Sequence, residues 1–381
     1  MPKLYIQPLT FANSPQGIES DPEGAPPAVR LAGSMVYARE YALILRGDDG
    51  LIRSRTITAA PDMAAALARL PDDLAAQGER QWSNLRLAHP PLALTLKDGL
   101  ARNVRMDQPQ VMGILNVTPD SFSDGGAFMD DLDIAVTHGV GMLEAGAAIV
   151  DIGGESTRPT AKPVWEGDEI KRVLPAIERL TAGGAAVSID TRKGTVMAEA
   201  LAAGARIVND VSALRYDPRS AEIVAEAGAV IVLMHAPGSG ADLHAEGDYE
   251  NVVLEVFDFL AAARDRALAA GIARERIVLD PGIGFGKSVK DNLALLNALP
   301  LFHALGQPLL LGASRKRFIG ALSKEAPEHQ RLGGSLAIAK LAMDAGVQLV
   351  RVHDAAETMQ AMHVWRGLRD AALTDFALLP G

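Results

Sequence analysis

The sequence predicts an α/β protein: a (β/α)8 TIM barrel preceded by a small N-terminal α/β accessory domain. Two observations carry this prediction. After residue 110, eight short apolar runs alternate with helix-length amphipathic segments, and a glycine recurs between a helical segment and the next run. The runs are Val111–Leu115, Ala148–Ile152, Ala186–Ile189, Arg206–Val208, Ala229–Met234, Ile277–Leu279, Pro308–Leu311 and Gln348–Val352. Each is too short for a helix and nearly continuous in apolarity, as a parallel strand covered on both faces must be. Gly146, Gly204, Gly228, Gly271 and Gly346 stand where helix C-caps belong. A doubly wound open sheet uses the same units and is the competing arrangement, but eight of them in about 250 residues favour closure.

The first part of the chain, residues 1–105, reads differently from the barrel region, 106–381. It holds β-like runs at Leu4–Pro8, Val29–Ala32, Met35–Arg46 and Leu51–Thr58, and a helix-like stretch at Met63–Ala76 that Pro71 should interrupt. Gly47-Asp48-Asp49-Gly50 reads as a hairpin turn, and Ser14–Pro27 as a loop. A second hairpin, Leu92–Lys97 and Leu100–Met106 about Asp98-Gly99, is placed to cover the bottom of the barrel. This region carries no chemical motif. If it is only accessory, removing residues up to Arg105 should spare the chemistry.

Composition narrows the function. The 381 residues carry 37 Lys plus Arg against 47 Asp plus Glu, a net charge of −10, which argues against nucleic acid as a partner. An anionic ligand must then be held by a local cluster. The absence of cysteine excludes disulfides, thiolate metal sites and cysteine nucleophiles. No apolar run reaches the roughly 18 residues of a membrane span, and the N-terminus lacks a signal-like pattern, so a cytoplasmic location is expected.

Barrel enzymes carry their chemistry at strand C-termini. Here those ends present Asn116, Asp151, Asp190, Asn209-Asp210, Met234-His235, Asp280, Ser314-Arg315-Lys316, and Arg351 with His353. Any one of them could be a turn or cap residue; together they point to a site. Arg351 and His353, two apart on one strand, share a face, and closure brings that strand beside Asn116. With Arg158 they make a candidate pyrophosphate site, where the neutral oxygen of Asn116 could bind Mg²⁺. His353 also has a bland reading, as a capped core residue. Asp190, Asp280 and Asn209 form an acidic well. An amino-pyrimidinone edge such as a pterin's would supply it with N–H donors, Lys316 with balancing charge and Met234 with an apolar wall. An internal Asp–Lys salt bridge without ligand is the alternative. The run Asp280-Pro-Gly-Ile-Gly-Phe-Gly-Lys287 fits neither the Walker nor the dinucleotide spacing; it reads as a loop of close backbone approach with Phe285 available to stack.

These residues resemble the dihydropteroate synthase family over roughly residues 109–368. The resemblance rests on the run from Gly113 to Gly126 and the run from Asp151 to Pro159. Ser188-Ile-Asp-Thr191, Asn209-Asp-Val211, Asp280 to Lys287, Ser314-Arg-Lys316 and Arg351-Val-His-Asp354 follow in order. It implies condensation of 6-hydroxymethyl-7,8-dihydropterin diphosphate with p-aminobenzoate, by an SN1-like path, to 7,8-dihydropteroate and pyrophosphate. Carried over by position, Asp190, Asn209, Met234, Asp280 and Lys316 would border the pterin. Asn116, Arg158, Arg351 and His353 would hold the diphosphate, with Mg²⁺ on Asn116. Thr157, Arg158, Phe285, Ser314 and Lys316 would border p-aminobenzoate, and Asp190, Lys316 and Arg158 would carry the catalysis. The resemblance also implies a homodimer through barrel helices, with Leu332–Ala345 a candidate contact. The chain departs from the family pattern at Thr160 and at Ala236-Pro237-Gly238. A methyltetrahydrofolate-dependent methyltransferase barrel would not need the Ser-Thr-Arg-Pro loop or the Arg351/His353 pair. A catalytically silent paralogue would be expected to have lost part of them.

Overall fold

The computed structural model describes residues 1–12, 27–118, 128–156, 163–238 and 242–373. Strands β1 (Lys3–Ala12), β2 (Val29–Arg30), β3 (Tyr37–Arg46) and β4 (Ile52–Ala59) form an antiparallel sheet in which β3 pairs with each of the others. The β3–β4 turn falls at Gly47–Gly50, with Gly47 N donating to Leu51 O at 2.8 Å. Most of the Ser14–Pro27 loop lies outside the described residues.

The expected Met63–Ala76 helix is two helices, α1 (Met63–Leu67) and α2 (Asp72–Arg86). Pro71 divides them, and Asp72 and Asp73 suit the positive end of the second. That helix continues past Ala76 because β1 needs it. Gln77 Oε1 accepts from Leu4 N at 3.1 Å and Gln81 Oε1 from Ile6 N at 2.9 Å, satisfying a strand edge that pairs with no other strand.

After the hairpin β5 (Leu92–Thr95) and β6 (Ala101–Val104), the barrel strands are β7 (Gln110–Asn116), β8 (Ile149–Gly153), β9 (Val187–Asp190), β10 (Ile207–Asp210), β11 (Val230–Met234), β12 (Ile277–Asp280), β13 (Leu310–Leu311) and β14 (Leu349–Val352). The helices are α3 (Phe128–Glu144), α4 (Glu166–Ala182), α5 (Gly194–Ala203), α6 (Ser220–Glu226), α7 (Val252–Ala269), α8 (Val289–Asn297), α9 (Arg317–Leu322), α10 (Leu332–Asp344) and α11 (Ala355–Leu373). All strand pairs in this sheet are parallel, in the order β12-β11-β10-β9-β8-β7-β14-β13, and a parallel bridge between Leu279 and Leu309 closes it. The open-sheet alternative is thereby set aside. Strand β13 is shorter than its apolar run. Pro308 has no N–H to give, and Leu309 N donates to the Gln348 side chain at 2.8 Å. The five C-cap glycines all have positive φ, from 58° at Gly228 to 127° at Gly204.

Strand parity separates two cores. Val111, Val150, Ile152, Val187, Ile189, Val208, Ile231 and Leu279 face outward beneath the helices, in a cluster continuous with Leu4, Tyr5 and Ile6 of β1. The alternate residues Met112, Ile149, Ile207, Val232, Val278 and Leu349 face the barrel axis. Leu92, Leu94, Val104 and Met106 of the hairpin region belong to this axial cluster, so the hairpin plugs the end of the barrel opposite the strand C-termini. The plug and the apolar layer leave the polar upper layer as the place for chemistry.

Candidate active site

One step further along each inward row, the side chains turn polar. Asp151 lies fully buried on β8, and Asp190, Asn209 and Asp280 are buried on β9, β10 and β12. Arg351 of β14 crosses the axis to reach them: its Nε lies 2.6 Å from Asp151 Oδ2 and its Nη2 lies 2.7 Å from Asp190 Oδ2. Asn209 Nδ2 donates to the same Asp151 oxygen at 3.0 Å. Asp280 Oδ1 accepts from Gly282 N at 2.7 Å. Asp190 Oδ1 has no hydrogen-bond partner among the described residues and is available to a ligand N–H. Gly153 ends β8 against the floor of the site: a Cβ there would sit 3.5 Å from Asn116 Oδ1 and 3.8 Å from Asp190 Oδ2.

Electrostatics match this geometry. Burial raises the Asp190 carboxyl well above the usual range, with Arg351 pulling it back. Burial raises Asp280 to about 6, opposed by the Gly282 N–H and by Lys316. Burial lowers Lys316 to about 8, opposed by Asp280. The Lys316 ammonium sits 3.9 Å from the centre of the Phe285 ring, a cation–π contact. Phe285 also joins Met234, Val211, Ala236 and Leu243 in an apolar cluster and stacks on His244 at 5.2 Å. The Asp–Lys salt bridge weighed from sequence is absent as a direct contact among the described ion pairs; Lys316 feels Asp280 and Asp190 only through longer-range charge.

Past the ends of the neighbouring strands β13 and β14, Ser314 Oγ lies 3.1 Å from His353 Nδ1 and accepts from His353 N at 3.2 Å. Burial and the Arg351 charge push His353 down to about 3, so the ring is neutral near pH 7. In the ligand-free protein, two Arg351 donors are thus on buried carboxylates beside a neutral imidazole. Asn116 ends β7 half-buried beside the same floor. Thr157 and Arg158 lie outside the described residues, as does Thr160.

Several strand-end residues turn out to support loops rather than face the cavity. Asp210 accepts from Ser212 N, Ser212 Oγ and Leu214 N at 2.7–2.8 Å. His235 is buried against Phe259 with ring centres 4.7 Å apart, and burial lowers it to about 2. Arg315 pairs with Asp354 and joins the loops after β13 and β14. The departing Ala236-Pro237-Gly238 run is anchored by Arg215, which donates to Ala236 O at 2.8 Å and to Gly238 O.

Two lysines escaped the sequence reading. Lys287 Nζ donates to Gly282 O at 2.8 Å, Phe285 O at 3.0 Å and His235 O at 3.3 Å, tying the glycine loop into a knot. That loop demands glycine: at Gly282, with φ +69°, a Cβ would fall 1.9 Å from His235 O. Lys193 Nζ reaches Glu169 Oε2 at 2.5 Å, Val164 O at 2.6 Å and Glu155 Oε2 at 3.2 Å, while Glu155 Oε1 accepts from Val164 N at 3.0 Å. This cluster clamps both flanks of residues 157–162. In sequence, Lys287 carried a signal, as a cation closing a Gly-x-Gly-x-Gly run; Lys193 carried none.

A family profile described as pterin binding enzyme matches residues 112–353. The dihydropteroate synthase of Mycobacterium leprae is 49% identical over 261 residues, covering 67% of this chain and 92% of that protein. The chain belongs to the dihydropteroate synthases. Its solved relatives agree in fold. The Xanthomonas albilineans dihydropteroate synthase with 4-aminobenzoic acid superposes with a TM-score of 0.67 at 45% identity, covering 76% of this chain and all of that one. The same organism's enzyme in complex with 7,8-dihydropteroate gives 0.64 at 43% identity over 73% of this chain and 97% of its own.

Proposed function

We propose that this dihydropteroate synthase joins 6-hydroxymethyl-7,8-dihydropterin diphosphate to p-aminobenzoate, releasing 7,8-dihydropteroate and pyrophosphate. The observation that carries the reading is the upper barrel layer, where Asp190, Asn209 and Asp280 are buried acceptors around the half-buried Lys316. A flat heterocycle with several N–H donors and a carbonyl satisfies such a set. Without it, Asp190 Oδ1 stays unpaired, and Arg351, Lys316 and the Gly282 N–H offset only part of the desolvation cost.

The arylamine nitrogen attacks the pterin methylene carbon, the carbon–oxygen bond to diphosphate breaks, and the nitrogen then loses a proton. Asp190 faces the positive charge that spreads into the ring as that bond loosens. Lys316 bonds the heterocycle from the side opposite the carboxylates, and Phe285 holds the lysine in place. Asn116, His353 and Arg158 border the leaving group, with Arg351 beside them. Ser314 orients His353, and with Thr157, Arg158 and Phe285 it borders the p-aminobenzoate pocket.

Among the described residues no group of three or more His, Asp, Glu or Cys side chains could hold a metal. The donor set suits Mg²⁺ only as a guest of the substrate, with the Asn116 amide oxygen one ligand beside phosphate oxygens and water. When bound, that ion would neutralise charge on the departing pyrophosphate. No described helix is long and apolar enough to cross a membrane. A homodimer through α10, whose exposed face carries Gly333 and Ala337, fits the same reading.

Pyrophosphate release tests the proposal. It should require both substrates and fall to background in Lys316→Ala. Release without p-aminobenzoate, or none with both, would refute it.

A further inference from the structure

We infer that Asp151 is a positioning residue, which fixes the Asn209 side-chain amide so that its oxygen faces the pterin. Asp151 is fully buried on β8 and cannot itself meet substrate. Its Oδ2 takes two donors at once, Asn209 Nδ2 at 3.0 Å and Arg351 Nε at 2.6 Å. A carboxylate only accepts, so the Asn209 nitrogen must turn toward it. The amide oxygen is then left for the cavity. The same oxygen of Asp151 also aims the guanidinium, whose Nη2 reaches Asp190.

The result is a row of acceptors on the side away from Lys316: Asp190 Oδ1, Asn209 Oδ1 and the Asp280 carboxylate. Without Asp151, Asn209 could flip and present a donor, and a donor facing ligand N–H groups leaves both sides unpaired. Asp151 thus selects for a heterocycle edge rich in N–H groups. The inference rests on the pterin reading above, so its test must be able to fail separately.

The experiment is a double-mutant cycle read by calorimetry with the pterin diphosphate, alongside steady-state KM for p-aminobenzoate. Asn209→Ala should weaken pterin binding; no change would remove Asn209 from the pocket and sink the pterin assignment itself. Asp151→Asn should weaken it by about 10- to 100-fold, the cost of one mispaired buried polar group, with p-aminobenzoate KM within about twofold. In the Asn209→Ala background the same Asp151→Asn change should cost no more than about threefold. Additive losses, or equal loss for both substrates, would show a merely structural role and overturn the inference. The wild-type enzyme offers a check independent of how the variants fold. The Asn209 side-chain amide should be slow to exchange its protons without ligand, held by Asp151; free exchange would overturn the assignment.

Discussion

Arg351 Nη2 lies 2.7 Å from Asp190 Oδ2, and this contact sets the charge balance of the barrel mouth. A guanidinium placed here keeps two buried carboxylates tolerable in the absence of substrate, because its Nε holds Asp151 as well.

Replacing that guanidinium should therefore cost folding as well as activity. Arg351→Met leaves two buried carboxylates without their partner, a loss of about 3–5 kcal/mol. The loss should shrink in mildly acidic solution, where Asp190, its carboxyl already raised by burial, takes up a proton. Urea denaturation of both proteins at about pH 8 and about pH 5.5 measures this. A destabilisation equal at both would mean the arginine matters by packing alone.

Asp280 should show the reverse trade. Its carboxyl sits at about 6 rather than 3.8 because burial disfavours the charge. The folded state thus holds the proton more tightly than the unfolded state does, and stability is lost as pH rises from about 4 through 6. At neutral pH the ionised group costs about 2–3 kcal/mol. Asp280→Asn should recover part of this in ligand-free protein, raising its thermal midpoint, while pterin-diphosphate affinity falls by at least tenfold. A lowered midpoint together with intact binding would contradict the strained-carboxylate account.

How much of this was visible in the sequence follows from two periodicities. The barrel was legible because its strands are short apolar runs and five of the connections from helix to strand carry a glycine whose positive φ other residues resist. The candidate site was legible because Asp190, Asn209 and Asp280 stand where inward rows leave the apolar layer, and Lys316 follows past β13 at the start of α9. Arg351 was placed correctly on its strand, but its partners were not legible. A guanidinium spans far enough to bridge β8 and β9 from β14, and nothing local records that reach. Lys193 was hidden for a similar reason, since Val164 O and Glu169 lie far away in sequence.

Asp280 and Lys316 give the well a pH signature beside that of Asp190, whose carboxyl is also raised. Asp280 must be ionised to accept from the pterin, and Lys316 must be charged to balance it. kcat/KM for the pterin diphosphate should thus form a bell, falling below about 6 and above about 8. Lys316→Arg should be slower but should lose the basic limb, since a guanidinium stays charged there. A basic limb that survives the substitution would belong to another group.

The hairpin supports a prediction opposite to the idea that everything before Arg105 is dispensable. Leu92, Leu94 and Val104 are each at most 2% exposed and pack on the inward residues of the barrel strands. Truncation at Arg105 would uncover the apolar layer from below, while truncation just before the hairpin keeps the plug. The latter still strips β1, whose Tyr5 meets Phe257 edge-on at 5.4 Å, so a loss of stability is expected in both. Only the longer deletion should abolish the cooperative unfolding transition. Leu94→Ala isolates the plug from the rest, with an expected cost of about 2–5 kcal/mol and kcat unchanged well below the midpoint. An unaltered denaturation midpoint would mean the barrel closes its own floor. A fall in kcat with stability intact would instead couple the floor to the mouth through the inward strand residues they share.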